Sequence, residues 1–259
     1  MKSFDLVGKV AVITGASRGI GKAIAEQLAS QGARVAISSR SIEACEAVAA
    51  DLNARYGDGT AIAVAANISR KGDLEQLVRA TQERLGAIDI LICNAATNPY
   101  YGPMLEIADD QFEKILSNNI LSNHWLVQLV APEMIERKNG AIVIISSIGG
   151  LTGSSVVGAY NVSKAADIQL ARNLALELGV HNIRVNCVAP GLIRTDFARA
   201  LWENPDTQRR VAESTALRRI GEADEIAGAV GCLVSAAGTF ITGQALVIDG
   251  GAMVTGLTP

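Results

Sequence analysis

Aromatic side chains make up only 4% of the chain, and cysteines number four among 259 residues. With few rings available, a core has to be built from Ala, Val, Ile and Leu, which suits buried parallel strands alternating with helices. Cys45, Cys93, Cys187 and Cys232 stand far apart inside apolar segments and match no paired ligand spacing. They read as small buried hydrophobes in a reducing compartment, and no metal site is expected. No apolar run reaches the ~20 residues of a membrane span, and residues 1–8 are too short and too polar for a secretory leader. Neither charge sign is clustered and the formal net charge is -3, so neither nucleic acid nor a membrane surface is expected as a partner. A cytoplasmic location follows as the expectation.

What is present is an alternation. Hydrophobic residues reach 49% against 19% charged, enough to bury a sizeable core. Short β-branched runs at 10–13, 34–37, 61–65, 88–93, 141–145, 183–188 and 245–248 read as strands. Between them, residues 20–28, 41–54, 73–85, 109–137, 158–178 and 223–235 carry helical spacing. Residues 192–219 follow no clear period. No repeat or low-complexity linker divides the chain, so 1–259 is expected to form a single α/β domain of Rossmann type. It should be doubly wound, with a parallel seven-stranded sheet flanked by helices. Ligands in such folds sit beyond the carboxyl ends of the strands.

Thr14-Gly15-Ala16-Ser17-Arg18-Gly19-Ile20-Gly21 leaves the first strand and opens the first helix. Glycines allow tight turns and close approach to a pyrophosphate, and a helix N-terminus offers free N–H groups to the phosphates. The second strand ends in Ser38-Ser39-Arg40, where an NAD-preferring site carries a carboxylate for the ribose 2′-hydroxyl. A hydroxyl and a guanidinium there suit a 2′-phosphate instead, with Arg18 approaching from the turn, so NADP(H) is the expected cofactor. Two solvated arginines are the competing account.

Tyr160 and Lys164 are spaced i, i+4 in a predicted helix and share one face. A phenol titrates near ~10 in water, and a neighbouring ammonium lowers that value. The pair alone is a common coincidence. Ser147 adds weight by ending the fifth predicted strand, on the ligand side of the sheet, where its hydroxyl can meet a substrate oxygen. A strand-end cap is its bland alternative.

With these motifs in order, the chain resembles the short-chain dehydrogenase/reductase family in its shorter form. Further matches are Leu6-Val7-Gly8-Lys9-Val10, Asn94-Ala95-Ala96, Pro190-Gly191-Leu192-Ile193-Arg194-Thr195, Ile241-Thr242-Gly243-Gln244 and Asp249-Gly250-Gly251. The resemblance implies that Tyr160 is the general acid/base, Lys164 the ribose-binding cation beside it and Ser147 the group holding the substrate oxygen. It implies that Asn119, closing the segment 112–119, anchors a proton-relay water, although Asn118 beside it replaces a normally apolar residue. Cofactor contacts are implied for Gly15, Ser17, Arg18, Gly19, Ile20, Gly21, Ser39, Arg40, Asn67, Ile68, Asn94 and Ala95. Tyr160, Lys164, Pro190, Gly191, Ile193 and Thr195 complete that set, the last two meeting the nicotinamide carboxamide. Asn67 replaces a usual aspartate, with its amide oxygen left to accept from the adenine amine. Ala96 stands where glycine is typical.

The loop Asn98-Pro99-Tyr100-Tyr101-Gly102 and the stretch Asn182-Ile183-Arg184-Val185-Asn186-Cys187 are similar to an NADP-dependent carbonyl reductase/retinol dehydrogenase branch found in peroxisomes. The final residues 256–259 are no Ser-Lys-Leu address, which favours a bacterial or cytosolic relative of that branch. The substrate pocket is expected from residues 151–157, Tyr100-Tyr101 and a segment at about 192–218 that includes Phe197 and Trp202. Such a pocket favours an apolar or aromatic ketone, aldehyde or secondary alcohol, and Trp202 in a subunit contact is the alternative. A 3-oxoacyl thioester reductase is the rival enzyme, and an NADP(H)-sensing binding protein the rival outside enzymes. The resemblance also implies a homotetramer.

Overall fold

A computed structural model describes residues 3–255. The expectation drawn from 256–259, and the first two residues of the segment compared with a leader, lie outside them. The seven strands are β1 (Val10–Thr14), β2 (Arg34–Ser39), β3 (Ala61–Ala65), β4 (Ile90–Cys93), β5 (Gly140–Ile145), β6 (Ile183–Pro190) and β7 (Ala245–Ile248). They form one parallel sheet in the order β3-β2-β1-β4-β5-β6-β7. β1, β4 and β5 are buried along their whole length, which explains why they read as unbroken apolar runs instead of alternating ones. The chain reverses direction across the sheet between β1 and β4, and a crevice opens beyond their carboxyl ends.

Helices cover both faces. α1 (Gly19–Ser30), α2 (Ile42–Tyr56) and, later in the chain, α9 (Ala223–Val234) place Ile24, Leu28, Leu52, Ile226 and Val230 against one face. α3 (Lys71–Leu85), α5 (Ser122–Arg137) and α6 (Gly158–Gly179) place Leu74, Leu77, Leu126, Val130 and Leu174 against the other. Both layers are aliphatic, as the shortage of aromatics requires. Cys45, Cys93 and Cys187 are buried and unpaired.

The helix expected over 109–137 is not one α-helix. α4 (Asp109–Leu116) passes into a π turn at Ser117–Leu121 before α5 begins. The cause is local. The Ser122 hydroxyl donates to the Asn118 carbonyl at 2.6 Å and the Asn123 amide to the Asn119 carbonyl at 2.7 Å, so side chains compete with backbone donors. The aperiodic segment beyond β6 folds into two short helices, α7 (Arg199–Trp202), whose Leu201 reaches the crevice, and α8 (Pro205–Glu213). Among the described residues no helix is long and apolar enough to cross a membrane.

Candidate active site

A cleft of about 760 Å³ lies at the carboxyl edge of the sheet, and every residue assigned to the cofactor from sequence lines it. Its floor is the glycine turn. Gly15 and Gly19 hold φ of 64° and 55°, a left-handed backbone that favours glycine. Gly21 is required for a different reason. A Cβ there would drive into the Gly15 carbonyl oxygen and come within 2.5 Å of the Asn94 amide nitrogen. That amide donates to the carbonyls of Thr14 and Gly15 at 2.8 and 3.1 Å, so Asn94 braces the turn from behind. The Thr14 hydroxyl accepts from the backbone N–H groups of Asn94 and Ala95 at 3.0 and 3.1 Å, which locks β1 to the loop after β4. A shaped concavity at the N-terminus of α1 results, a fit for a dinucleotide pyrophosphate.

At the ribose end, Ser39 and Arg40 lie where β2 leaves the sheet. The Ser39 hydroxyl is turned on the Ser41 carbonyl at 3.2 Å and the Cys45 sulfur at 3.1 Å, whereas Arg40 is exposed. Arg18 is also exposed, 3.6 Å from Asp196 across the mouth of the cleft. Asn67 departs from expectation. Its amide oxygen accepts from both the backbone N–H and the hydroxyl of Ser69, at 3.1 and 2.9 Å, and so is already satisfied by the turn it sits in. Thr195 rests above Gly19, its methyl 3.3 Å from where a Cβ would stand.

The reacting end is built by β5 and α6. Tyr160 and Lys164 share a face of α6, with the Lys164 ammonium 5.6 Å from the centre of the phenol ring. Lys164 is 2% exposed, and its Nζ donates to the Ile145 carbonyl and to the Asp167 carboxylate, both at 2.9 Å. Burial opposes the charge on Lys164, but Asp167 and Tyr160 outweigh it and hold the ammonium's pKa above its ordinary value. Burial pushes the Tyr160 phenol up while Lys164 pulls it down. Ser147 lies just beyond β5 and accepts the Gly149 N–H at 3.0 Å. That is the expected cap, and it coexists with a place in the cleft wall because the hydroxyl proton remains free to donate.

Asn119 departs from the expected placement. It is fully buried behind the cleft wall, with its amide on the Thr97 N–H (2.8 Å), the Thr97 carbonyl (3.0 Å) and the Ser163 hydroxyl (3.0 Å). Asn118, its neighbour in the π turn, lines the cleft instead. Trp202 is also absent from the cleft wall. Its indole N–H donates to the Thr195 carbonyl at 2.8 Å and Arg194 stacks over its ring at 5.4 Å, so it staples α7 to the chain leaving β6. Phe197 and Leu201 line the cleft, with Phe197 6.1 Å from the Tyr160 ring. Residues 151–157 and Tyr100-Tyr101 are not part of the cleft wall. Thr97, Lys114 and Ser41 are, and sequence reasoning missed them. Ser41 alone carried a local signal, as the helix cap directly after a strand.

A glycine cradle, an i, i+4 phenol–ammonium pair and a strand-end hydroxyl in one crevice define a dinucleotide-dependent oxidoreductase. A family model described as "Enoyl-(Acyl carrier protein) reductase" matches residues 15–253. "Dehydrogenase/reductase SDR family member 4" of Oryctolagus cuniculus is 41% identical over 248 residues, 95% of this chain and 94% of the rabbit protein. "Dehydrogenase/reductase SDR family member 2, mitochondrial" of Homo sapiens is 39% identical over 246 residues, covering 95% and 86%. Among solved structures, a 7α-hydroxysteroid dehydrogenase complexed with NADH and 7-oxo glycochenodeoxycholic acid superposes with a TM-score of 0.92 at 35% identity, covering 96% of each chain. This chain belongs to the short-chain dehydrogenase/reductase family. Its class of chemistry is hydride transfer with a nicotinamide cofactor.

Proposed function

We propose that the chain is an NADP(H)-dependent oxidoreductase interconverting an apolar or aromatic carbonyl compound and its alcohol. The observation that carries this is the convergence of Ser147, Tyr160 and Lys164 at one end of a cleft whose other end is the glycine cradle. A bound nicotinamide supplies or accepts the hydride. Everything else falls to the chain's own side chains. In reduction, the Ser147 O–H donates to the substrate oxygen and Tyr160 gives its phenolic proton to that oxygen as charge develops. Lys164, with one N–H left after Ile145 and Asp167, faces the cleft to bind the ribose. Asn119 positions Thr97 and the start of α6 through Ser163, and the contact it makes with any relay water runs through those groups.

The preference for NADP(H) rests on Arg40 at the end of β2, where no carboxylate stands, and on Arg18 across the same end. The apolar substrate class rests on Phe197 and Leu201 in the segment 192–218, read as the substrate-binding part of one domain spanning 1–259. The hydroxysteroid dehydrogenase neighbour holds NADH and a 7-oxo steroid acid, a ketone, which agrees with carbonyl/alcohol chemistry. A second reading is reduction of a 3-oxoacyl thioester, which has only the acyl-thioester substrate type in common with the matched family description, whose enoyl reduction acts on a C=C bond. A spectrophotometric screen of aromatic ketones, sterol-like ketones and acetoacetyl thioesters with NADPH and NADH tests both. Turnover confined to thioesters selects the second, and equal efficiency with both cofactors removes the NADP(H) assignment. Oxidation of NADPH by none of the carbonyls leaves a nucleotide-sensing protein.

A cytoplasmic homotetramer completes the proposal. Support comes from apolar side chains left exposed on the Asn119–Lys164 helices, Leu121 and Val162, and on the edge strand β7, Leu246 and Val247. Light scattering that returned the 27.0 kDa monomer mass would refute it.

A further inference from the structure

The buried face of α6 carries a charge that the mechanism above does not use. Asp167 is 0% exposed, one helical turn beyond Lys164, with its Oδ2 on Nζ at 2.9 Å. Its Oδ1 accepts from the Asn123 amide at 2.9 Å, and the same amide reaches the Asn119 carbonyl inside the π turn. Both carboxylate oxygens are therefore held, one by α6 itself and one by α5. Its neighbours along the buried face, Ile168 and Ala171, are ordinary core residues. A buried ion pair is a weak source of stability, since well-packed apolar side chains serve as well or better. Packing alone gives no reason for a carboxylate here. Its contact with Lys164 does.

We propose that Asp167, fixed by Asn123, is a positioning residue that pins the Lys164 ammonium and offsets its charge at Tyr160, so that the site favours giving a proton over taking one. The proposal rests on the role given to Tyr160 above. An unopposed ammonium beside a phenol stabilises the phenolate, the form that accepts a proton from an alcohol. A carboxylate directly behind that ammonium weakens the effect and leaves the phenol protonated, the form that reduction needs.

The other groups facing the pair do not provide this charge. Cys93 on β4 and Cys187 on β6 are buried thiols whose pKa values are pushed up, so they stay neutral, and the Cys187 thiol donates to the Asp167 carbonyl at 3.3 Å. Arg172 on α6 acts on Cys187, Tyr101 from the loop after β4 acts on Tyr160, and α5 contributes the neutral amides of Asn119 and Asn123. Burial pushes the Asp167 carboxyl up, with Lys164 and Asn123 acting against that.

The test is a titration of the full-length protein without added cofactor, following the near-ultraviolet absorbance of tyrosinate. The same titration of Tyr160→Phe in each background isolates Tyr160 from the other tyrosines. Asp167→Asn keeps the shape and removes the charge, and Tyr160 is expected to ionise at a pH lower by about one unit, the effect of losing one nearby negative charge. Asn123→Leu, which deprives the carboxylate of a partner, should move it the same way by less, and it stands in if Asp167→Asn does not fold. In the holoenzyme, the acid limb of kcat/KM for alcohol oxidation should move down by the same amount. A damaged fold would lower kcat without moving the limb. An unmoved or raised Tyr160 titration in the folded variants overturns the proposal. A Tyr160→Phe enzyme with near-normal turnover instead overturns the role of Tyr160 and leaves the titration result standing.

Discussion

The same substitution, glycine to alanine, should have opposite effects at two helical positions of this chain. Gly21 lies in the first turn of α1 and Gly228 in the exposed middle of α9. At Gly228 an added Cβ meets nothing within 4 Å. Alanine then acts only through helix propensity and unfolded-state entropy, and should stabilise by roughly 0.5–1 kcal/mol. At Gly21 the Cβ meets the Gly15 carbonyl oxygen, its carbon at 2.9 Å and the Asn94 amide at 2.5 Å. Two of these atoms are backbone, and the amide is itself bonded to Thr14 and Gly15, so none can retreat cheaply. Overpacking of this kind costs about 1–3 kcal/mol. For a chain of 259 residues that is a fall of roughly 2–10 °C in Tm, against a rise of about 1–4 °C for Gly228→Ala. The loss falls on the cradle itself, so Gly21→Ala should also weaken NADPH binding at least about tenfold, while Gly228→Ala leaves it unchanged. Scanning calorimetry with and without NADPH, and quenching of protein fluorescence, read both quantities. A Gly21→Ala protein with the parent Tm and parent affinity would refute the argument from close approach.

Tyr160→Phe should lower kcat by about 10²–10⁴, the usual size of a lost proton-transfer group, with NADPH affinity nearly unchanged. Steady-state kinetics beside a binding titration checks it. Replacing Ser39 with aspartate and Arg40 with leucine should shift the ratio of kcat/KM from NADPH toward NADH by at least about tenfold, through loss of a charge-assisted phosphate contact. A ratio that did not move would place the selectivity elsewhere. Glu225 accepts from both terminal nitrogens of Arg219, at 2.7 and 2.6 Å, and from the Glu222 N–H, which lowers its pKa to about 2. A depressed carboxylate stabilises above its unfolded pKa near 4.5, so Glu225→Gln should lower Tm at pH 7. That deficit should shrink as the pH falls from about 4.5 toward 2, and thermal melts across this range test it.

How much was legible beforehand differs between elements. The central strands β1, β4 and β5 were readable because burial on both faces writes an unbroken apolar run, and the edge strand β7, although partly exposed, carries the same short β-branched run. The glycine cradle and the Tyr160–Lys164 pair were readable because each fits within one turn or one strand–turn–helix unit, where spacing alone fixes geometry. The long helix over 109–137 misled, since its period continues through the π turn that side chains of Ser122 and Asn123 create. Within that turn Asn118 faces the cleft and Asn119 lies behind it.

By itself, then, the amino-acid order determined the strands, the cradle and the two groups one helical turn apart, all of them consequences of local periodicity. The folded arrangement alone decided which asparagine meets the cleft, that Trp202 staples and Phe197 lines, and that Asp167 stands behind Lys164 with Asn123 across from it. Those outcomes depend on pairs such as Asn123 and Asp167, 44 residues apart. No spacing rule covers such a pair, because only the packing of two helices on the same sheet brings it together.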